Sequence, residues 1–169
     1  LAILQAVTDL GMTPPSPVSD YQAQVTDIIG KLQRLQSADG GWAWNAGNAA
    51  NTHLTAYILY GLSRAKKAGF AVTPTVIQNA VTFLRAQLIS PEMLTSDSEL
   101  DEQAFLALVL SEADQAGLNT AALMGVRQRP SPWAKACLTL AMHNMDANNN
   151  SIPTLLSDLE SSAQRTATG

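Results

Sequence analysis

Cysteine, aromatic residues and charge are all scarce in this chain of 169 residues. Its single cysteine, Cys137, excludes an internal disulfide and leaves the redox compartment undetermined. Only 14% of the residues are charged, the formal net charge is -4, and no basic run offers the phosphate neutralisation that nucleic-acid binding requires. The longest uninterrupted apolar run, Ala104 to Leu110, is far too short to cross a bilayer.

What the sequence does contain is a series of helix signals. Apolar residues recur at steps of three and four over 25–35, 77–88 and 152–159, which predicts helices with one apolar face. Segments 54–62, 104–110 and 133–145 are apolar on nearly every side. No stretch shows the two-residue alternation of an exposed strand. The sequence therefore predicts an all-α fold.

The helix ends carry signals of their own. A helix is expected to start at Asn51 or Thr52 and to stop at Lys66-Lys67-Ala68-Gly69, where cations precede a glycine. Ser98-Glu99-Leu100-Asp101 is interpreted as a capping box with Asp in its last position. Further starts are predicted at Thr73-Pro74, Ser131-Pro132 and Ser151.

One-sided helices alternate with helices that are apolar all round. A helix with one apolar face packs against neighbours on that face only, whereas a helix that is apolar all round packs against neighbours on both sides. The alternation therefore favours an inner ring and an outer ring of helices. An open superhelix and a closed α/α toroid both fit this pattern. The chain holds about three and a half helical hairpins, so a toroid would be incomplete. Residues 1–169 are expected to form a single all-α domain, as a fragment of a larger protein or a processed product of one.

The stretch Asp39-Gly40-Gly41-Trp42 is the most distinctive candidate for a site. We interpret it as a structural corner, in which the glycines allow a tight turn and the indole packs over helix ends. The functional alternative is a sugar-binding tryptophan platform or the aromatic cavity of a cyclase. The rest of the chain has no paired acids in aromatic surroundings that would complete such a site.

The other reactive side chains favour structural roles. His53 and His143 lie on different predicted helices, and neither has Cys or Asp at metal-ligand spacing; His53 is expected at the mouth of the ring and His143 at a helix end. Cys137 is interpreted as a small buried hydrophobe. No catalytic, cofactor-binding or metal-binding residue is assigned. The remaining polar groups are interpreted as anions at a helix start (Asp97, Glu99, Asp101, Glu102), a solvated loop (Arg127, Arg129) and a polar turn (Asn149, Asn150, Ser151).

Four motifs in order resemble a known family. Asn51-Thr52-His53-Leu54-Thr55-Ala56-Tyr57, after the glycine corner, resembles a signature of the thioester-containing domain of alpha-2-macroglobulin and complement-type proteins. The segment 64–72 resembles the bacterial branch of that family, residues 100–104 fall where the family opens a later inner helix, and 133–141 resembles a helix motif of the family. Each motif is weak alone, but four in register are fairly specific.

The resemblance implies an α/α toroid, incomplete relative to a full barrel of about six hairpins, within a large multidomain protein that traps proteases. In that family a bait segment is cut, and an internal Cys–Gln thioester in a C-x-E-Q motif then acylates the attacker. This chain contains no C-x-E-Q, and Cys137 stands where the family has a core leucine. The motif would lie shortly before Leu1, since Leu1–Met12 looks like the helix that follows it. Either that motif stands upstream in the larger protein that contains this chain, called the parent here, or the parent belongs to the bacterial branch that lacks the motif.

A second departure concerns a histidine that assists acyl transfer in complement-type members. The corresponding loop, Leu88–Leu100, has no histidine, so a thioester in the parent would react directly with amines. The resemblance further implies no enzymatic activity, no cofactor and an extracytoplasmic location. Its implied partners are proteases, reached through the parent, and neighbouring macroglobulin and CUB-like domains, with membrane contact only through a lipid anchor. The alternative that stays open is an α/α-toroid enzyme or ligand-binding domain of the terpenoid-cyclase or glycan-processing kind.

Overall fold

The computed structural model describes residues 18–114, 118 and 120–163, and within these ranges it contains helices but no strand. The expected all-α class is therefore confirmed for this part of the chain. The helix predicted over Leu1–Met12 lies outside the described residues. The helices are α1 (Val18–Arg34), α2 (Thr52–Lys67), α3 (Pro74–Arg85), a 3-10 turn (Pro91–Met93), α4 (Asp97–Asp114), α5 (Thr120–Gly125), α6 (Pro132–Met145) and α7 (Ile152–Ser162).

The chain divides between Phe83 and Leu84 into two compact units, so the boundary falls near the end of α3. The first unit contains α1, α2 and most of α3. The second contains the 3-10 turn and the four helices that follow it. The expectation of one domain over residues 1–169 stays a prediction.

Most predicted helix ends are confirmed. The Asn51 side chain accepts a hydrogen bond from the backbone N–H of Leu54 at 2.8 Å, and α2 begins at the next residue. The Ser131 hydroxyl caps α6 in the same way, because it accepts a hydrogen bond from the backbone N–H of Ala134 at 3.2 Å. At the end of α2, Gly69 has a φ of +87°, which a residue with a Cβ rarely adopts. These signals are local and short, so the sequence alone locates them.

The capping box of α4 lies two residues before the predicted one. The Glu99 carboxylate accepts from the backbone N–H groups of Thr95 and Ser96, at 3.1 and 3.0 Å, and the Ser96 hydroxyl accepts from the N–H of Glu99 at 3.3 Å. This is the reciprocal pattern of an S-x-x-E box. Ser98 and Asp101 do not form it, because α4 already begins at Asp97.

The buried face of α1 also differs from the predicted stripe. Of the five predicted apolar positions only Ile29 is buried, whereas Ile28 and Leu35 are 54% and 67% exposed. The side chains of Gln33 and Gln36, one and two turns beyond Ile29, instead hydrogen-bond to backbone on the α3 side of the unit. The hydrogen bonds of these glutamines therefore decide which face of α1 turns towards the protein, and the spacing of its apolar residues does not.

In the second unit α4 is the central helix, and every residue from Gln103 to Ser111 is buried. This confirms the prediction that α4 is covered on all sides. In contrast, α6 leaves Trp133 and Leu140 about half exposed. In the first unit α2 leaves Tyr57 53% exposed. All-round apolar composition therefore indicates complete burial only for α4.

A polar pair fixes how α6 lies against α4. The Asn144 amide donates to the Ser111 hydroxyl at 3.1 Å, and that hydroxyl donates to the Leu108 carbonyl at 2.8 Å. Ser111 is fully buried, so its pairing avoids the cost of an unsatisfied hydroxyl. Sliding α6 along α4 would break this contact, which makes the pair a specific determinant of helix register.

The last helix, α7, buries less of its apolar face than the spacing of apolar residues over 152–159 predicts. Leu155 is fully buried, but Leu156 is 48% exposed. None of the described helices combines the length and the hydrophobicity that a bilayer span requires.

The position of the capping box gives a direct test by mutation. Ser96→Ala removes the hydroxyl that caps α4 and is expected to lower the free energy of unfolding by about 1 kcal/mol. Ser98→Ala is the matched control. Ser98 is exposed and gives α4 no cap, and its hydroxyl only contacts the Ser96 hydroxyl, at 3.2 Å, so the change in stability should be less than about 0.5 kcal/mol. Urea denaturation followed by circular dichroism measures both values. A larger loss for Ser98→Ala than for Ser96→Ala would place the capping box at Ser98–Asp101.

The same contacts lower the pKa of Glu99, chiefly through the backbone N–H of Ser96 and next through the Ser96 hydroxyl. A lowered carboxyl pKa means that these contacts stabilise the fold above the pKa of the unfolded chain. This stabilisation is lost as the pH falls through the lower folded pKa. Ser96→Ala should therefore raise the Glu99 pKa measured by NMR titration, and Ser98→Ala should not.

Candidate functional site

The corner at residues 39–42 places Trp42 between the ends of two helices. Its ring is 2% exposed, and the indole Nε1–H donates to the carbonyl of Leu32 in the last turn of α1, at 2.8 Å. The backbone N–H of Trp42 donates to the hydroxyl of Thr55 in the first turn of α2, at 2.9 Å. Both polar groups of Trp42 that can donate are thus used inside the protein.

The two glycines of the corner are each required by close approach. Gly40 has a φ of +92°, and a Cβ there would lie 2.5 Å from the backbone oxygen of Asn79. A Cβ at Gly41 would lie 2.5 Å from the Cβ of Ala50 and 2.8 Å from the Thr55 hydroxyl. Only glycine lets the chain pass between α2 and α3 at this point.

Two glutamines complete the corner. The Gln36 amide donates to the carbonyls of Gly40 and Val76, at 2.8 and 2.9 Å. The Gln33 side-chain oxygen accepts from the backbone N–H of Thr73 at 2.7 Å, just before α3 begins. Residues from the end of α1 therefore hold the corner and the start of α3 together. The structural interpretation of this stretch agrees with the geometry, and a buried Trp42 offers no ring face to a sugar.

The corner is followed by a second tryptophan with a different environment. Trp44 is 71% exposed and lies in the loop that leads to α2. Trp42 is therefore a buried anchor of the corner, and Trp44, two residues further along the chain, is exposed.

The two histidines do not form a site. His53 is exposed and lies 4.9 Å from the Tyr57 ring, edge to face, one turn further along α2. His143 is exposed in the last turn of α6, which confirms the expected helix-end position. Among the residues that the structure describes, no group of three His, Cys, Asp or Glu side chains is arranged to hold a metal ion.

Cys137 is buried in α6, as predicted, with 4% of its surface exposed. Burial raises the pKa of its thiol to about 11, with a further contribution from the negative charge of Asp101. The thiolate is the nucleophilic form of cysteine, so this environment suppresses its reactivity.

The acidic side chains around α4 serve as anchors for the segment before α6. Asp101 accepts from the backbone N–H of Ser131 at 2.9 Å. Asp97 accepts from Arg129 at 3.1 Å. These contacts support the structural interpretation of both carboxylates and give neither one the isolated position of a general base.

The two arginines of this segment are exposed or partly exposed, as predicted for a solvated loop, but both also form ion pairs. Arg127 pairs with Asp158 of α7 at 3.2 Å, and Arg129 pairs with Asp97 at the start of α4. Each arginine therefore joins the segment 126–131 to a helix about 30 residues away in sequence. The sequence does not predict these ion pairs, because local composition carries no information about partners so far along the chain.

The geometry of the corner predicts opposite effects for the two tryptophans. Trp42→Ala removes a buried indole and its hydrogen bond to the Leu32 carbonyl, while the backbone bond to Thr55 can persist, so it is expected to lower the free energy of unfolding by about 3–5 kcal/mol. Trp44→Ala should change it by less than about 0.5 kcal/mol. Chemical denaturation of the two variants measures the difference. A Trp42→Ala protein that keeps its stability would contradict the structural role.

The environment of Cys137 predicts slow labelling by a thiol reagent. Raising the thiol pKa from 9.0 to about 11 reduces the thiolate fraction about a hundredfold at neutral pH, and burial slows access further. In the Cys137→Ala background, Ser157→Cys supplies an exposed thiol on α7 as the control and should react at the rate of a free peptide. Equal labelling rates for Cys137 in the folded parent protein and for the engineered thiol in the folded control variant would show that Cys137 is accessible.

Comparisons with known proteins find relatives of one kind. No family model matches the chain. An alpha-2-macroglobulin of Xylella fastidiosa is 31% identical over 121 residues, which cover 68% of this chain and 7% of that protein. The chain thus spans 7% of the length of this curated relative.

Two solved structures resemble the fold. The native conformation of E. coli alpha-2-macroglobulin matches 94% of this chain with a TM-score of 0.73 and 24% identity, over 10% of its own length. Salmonella alpha-2-macroglobulin reacted with methylamine matches 95% with a TM-score of 0.72 and 24% identity, over 11% of its length. These likenesses confirm the all-α, α/α-toroid-like fold class. Together with the Xylella sequence they show that the chain belongs to the alpha-2-macroglobulin family, as an all-helical domain.

Proposed function

We propose that this chain is a non-catalytic helical domain of an alpha-2-macroglobulin-like protein that inhibits proteases by trapping them. The observation that carries the proposal is the likeness in sequence and fold to bacterial alpha-2-macroglobulins. The parent would bind proteases, and this domain would contact neighbouring macroglobulin and CUB-like domains. Such a protein meets proteases outside the cytoplasm, so we place it in the periplasm, the cell envelope or the medium.

The described residues support a non-catalytic role. A thioester needs a cysteine beside a glutamine, whereas Cys137 is buried in α6 next to Ala136 and Leu138. The carboxylates of Asp97, Asp101 and Asp158 are used to hold the segment before α6. Covalent capture of a protease, where it occurs, therefore belongs to another part of the parent.

The enzyme alternative has less support. Its main feature was the tryptophan corner, and Trp42 is buried with its indole N–H bound to the Leu32 carbonyl. A glycan platform needs an exposed ring face, and a cyclase cavity needs aromatic walls around an open space. The geometry at residues 39–42 provides neither.

Trapping is tested on the complete protein that contains this chain. It is mixed with trypsin, and residual activity is measured on a large protein substrate and on a small chromogenic peptide. An enclosed protease keeps its active site but excludes large molecules, so we expect cleavage of the large substrate to fall while cleavage of the small peptide persists. Loss of both activities would indicate a blocked active site, and loss of neither would contradict inhibition; either result would refute the proposal.

A matched pair of cysteine variants tests where covalent chemistry lies. Cys137→Ala in the complete protein is expected to leave trapping and any covalent protease adduct unchanged, because the thiol is buried and its pKa is about 11. Where an upstream C-x-E-Q is present, replacing its cysteine should abolish both the adduct and incorporation of methylamine. The adducts are measured on denaturing gels after boiling.

The isolated chain provides the complementary measurement. Incubated with trypsin and with methylamine, it should form no covalent adduct and leave trypsin fully active. An adduct of this chain that survives boiling in denaturant would show that the reactive group lies within residues 1–169, contrary to the proposal.

A further inference from the structure

The segment 126–131, called the arginine segment here, contains the residue type that trypsin-like proteases recognise. Arg127 and Arg129 lie in it outside any helix, whereas every other lysine or arginine that the structure describes lies within a helix. Proteases cut mainly in exposed loops, because the chain has to leave its folded conformation to enter the active site. Within the described part of the chain, the arginine segment is therefore the place where a trypsin site lies in a loop.

The peptide bonds that follow the two arginines differ chemically. Arg129 is followed by Pro130, whose backbone nitrogen belongs to a ring and carries no hydrogen, and trypsin cleaves such a bond poorly. Arg127 is followed by Gln128, which makes an ordinary trypsin site. Cleavage of the segment by trypsin therefore depends on the bond between Arg127 and Gln128.

Both arginine side chains are bound by aspartates of neighbouring helices. Arg127 donates to the Asp158 carboxylate on α7 at 3.2 Å, and these two side chains are 34% and 22% exposed. Arg129 donates to the carboxylate of Asp97, at the start of α4, at 3.1 Å. Trypsin binds the arginine of its substrate in a pocket that contains an aspartate. Asp158 and Asp97 therefore compete with the protease for the same guanidinium groups.

The backbone of the arginine segment is held as well. The N–H of Arg129 donates to the carbonyl of Val126 at 3.0 Å, so the chain turns at this point. At the end of the segment, the N–H of Ser131 donates to the Asp101 carboxylate at 2.9 Å. A protease can bind the segment only after contacts of this kind have opened.

We propose that the aspartate contacts of the arginine segment protect this domain from trypsin-like proteases. Asp158 binds the arginine next to the bond that trypsin cuts most readily, and Asp97 and Asp101 keep the rest of the segment closed. The benefit of this protection rests on the proposed function, because a trapped protease stays near the domain for as long as it is held. The protection itself belongs to this chain and can be measured without trapping.

The test compares two alanine variants of the 169-residue chain in dilute trypsin. Asp158→Ala releases Arg127, and Glu160→Ala is the matched control because it removes an exposed carboxylate from the same helix. Where opening and closing are fast, the cleavage rate follows the population of the open segment. Loss of the ion pair is expected to speed cleavage after Arg127 about fivefold, whereas Glu160→Ala should leave the rate within about twofold of that of the unmodified chain. Mass spectrometry of the fragments over time measures this rate.

A lysine-specific protease separates opening of the segment from loosening of the whole unit. The arginine segment contains no lysine, whereas Lys135 lies just beyond it in α6. Asp158→Ala should therefore leave cleavage after lysine unchanged. The double variant Asp97→Ala/Asp158→Ala releases both arginines, and trypsin should cut it after Arg127 about tenfold faster than the unmodified chain.

Two results would overturn the proposal. One is cleavage after Arg127 at the same rate in Asp158→Ala and in Glu160→Ala. The other is cleavage after lysine that rises in Asp158→Ala by the same factor as cleavage after Arg127, because Asp158 would then stabilise the whole unit and give the segment no protection of its own. Neither result depends on whether the complete protein traps trypsin, which the assay with large and small substrates decides separately.

Discussion

The first unit depends on a close approach of backbone at Gly40 and Gly41. A single added carbon at either position would overlap backbone or side-chain atoms of the neighbouring helices. This proximity brings the N–H of Trp42 to Thr55 and the indole to the carbonyl of Leu32. The contacts work together, because the glycines permit the approach and the tryptophan satisfies the polar groups that the approach would otherwise bury.

The second unit uses the same principle with charged groups. Three aspartates, each on a helix, hold the segment that precedes α6 by accepting from Arg127, Arg129 and the backbone of Ser131. Exposed ion pairs stabilise little individually. Asp101 differs from the other two because its partner is a backbone N–H at the cap of α6, so it orients the helix start directly. Side chains therefore position helix ends in both units across long stretches of sequence.

The sequence located what depends on neighbouring residues. The cap at Asn51, the stop at Gly69 and the start at Ser131 each involve a few consecutive positions, and all were predicted correctly. The capping box was misplaced by two residues because Ser96 and Ser98 both stand three positions before an acid. Only the backbone shows which one is used, and there Glu99 reaches the N–H groups of Thr95 and Ser96.

The roles of Gln33, Gln36, Arg127 and Arg129 were beyond local reasoning for a different reason. Their partners lie about 30 to 40 residues away, and no spacing rule connects them. Burial of α1 and α7 was overestimated for a related reason. Apolar periodicity identifies a face that can be buried, but polar anchors at other positions decide which face turns inward, as Gln33 does one turn beyond the buried Ile29 in α1.

The chemical character of this domain follows from how its polar groups are used. The carboxylates of Asp97, Asp101 and Asp158 are bonded to arginine or backbone donors, and the thiol of Cys137 is held protonated by burial. A thiol that stays protonated is a poor nucleophile. Among the residues that the structure describes, the buried side-chain oxygen without a hydrogen-bond partner is the Ser63 hydroxyl. Polar groups that are bonded within the fold position helices and helix ends, and this is the role that the described contacts give to Asp97, Asp101 and Asp158.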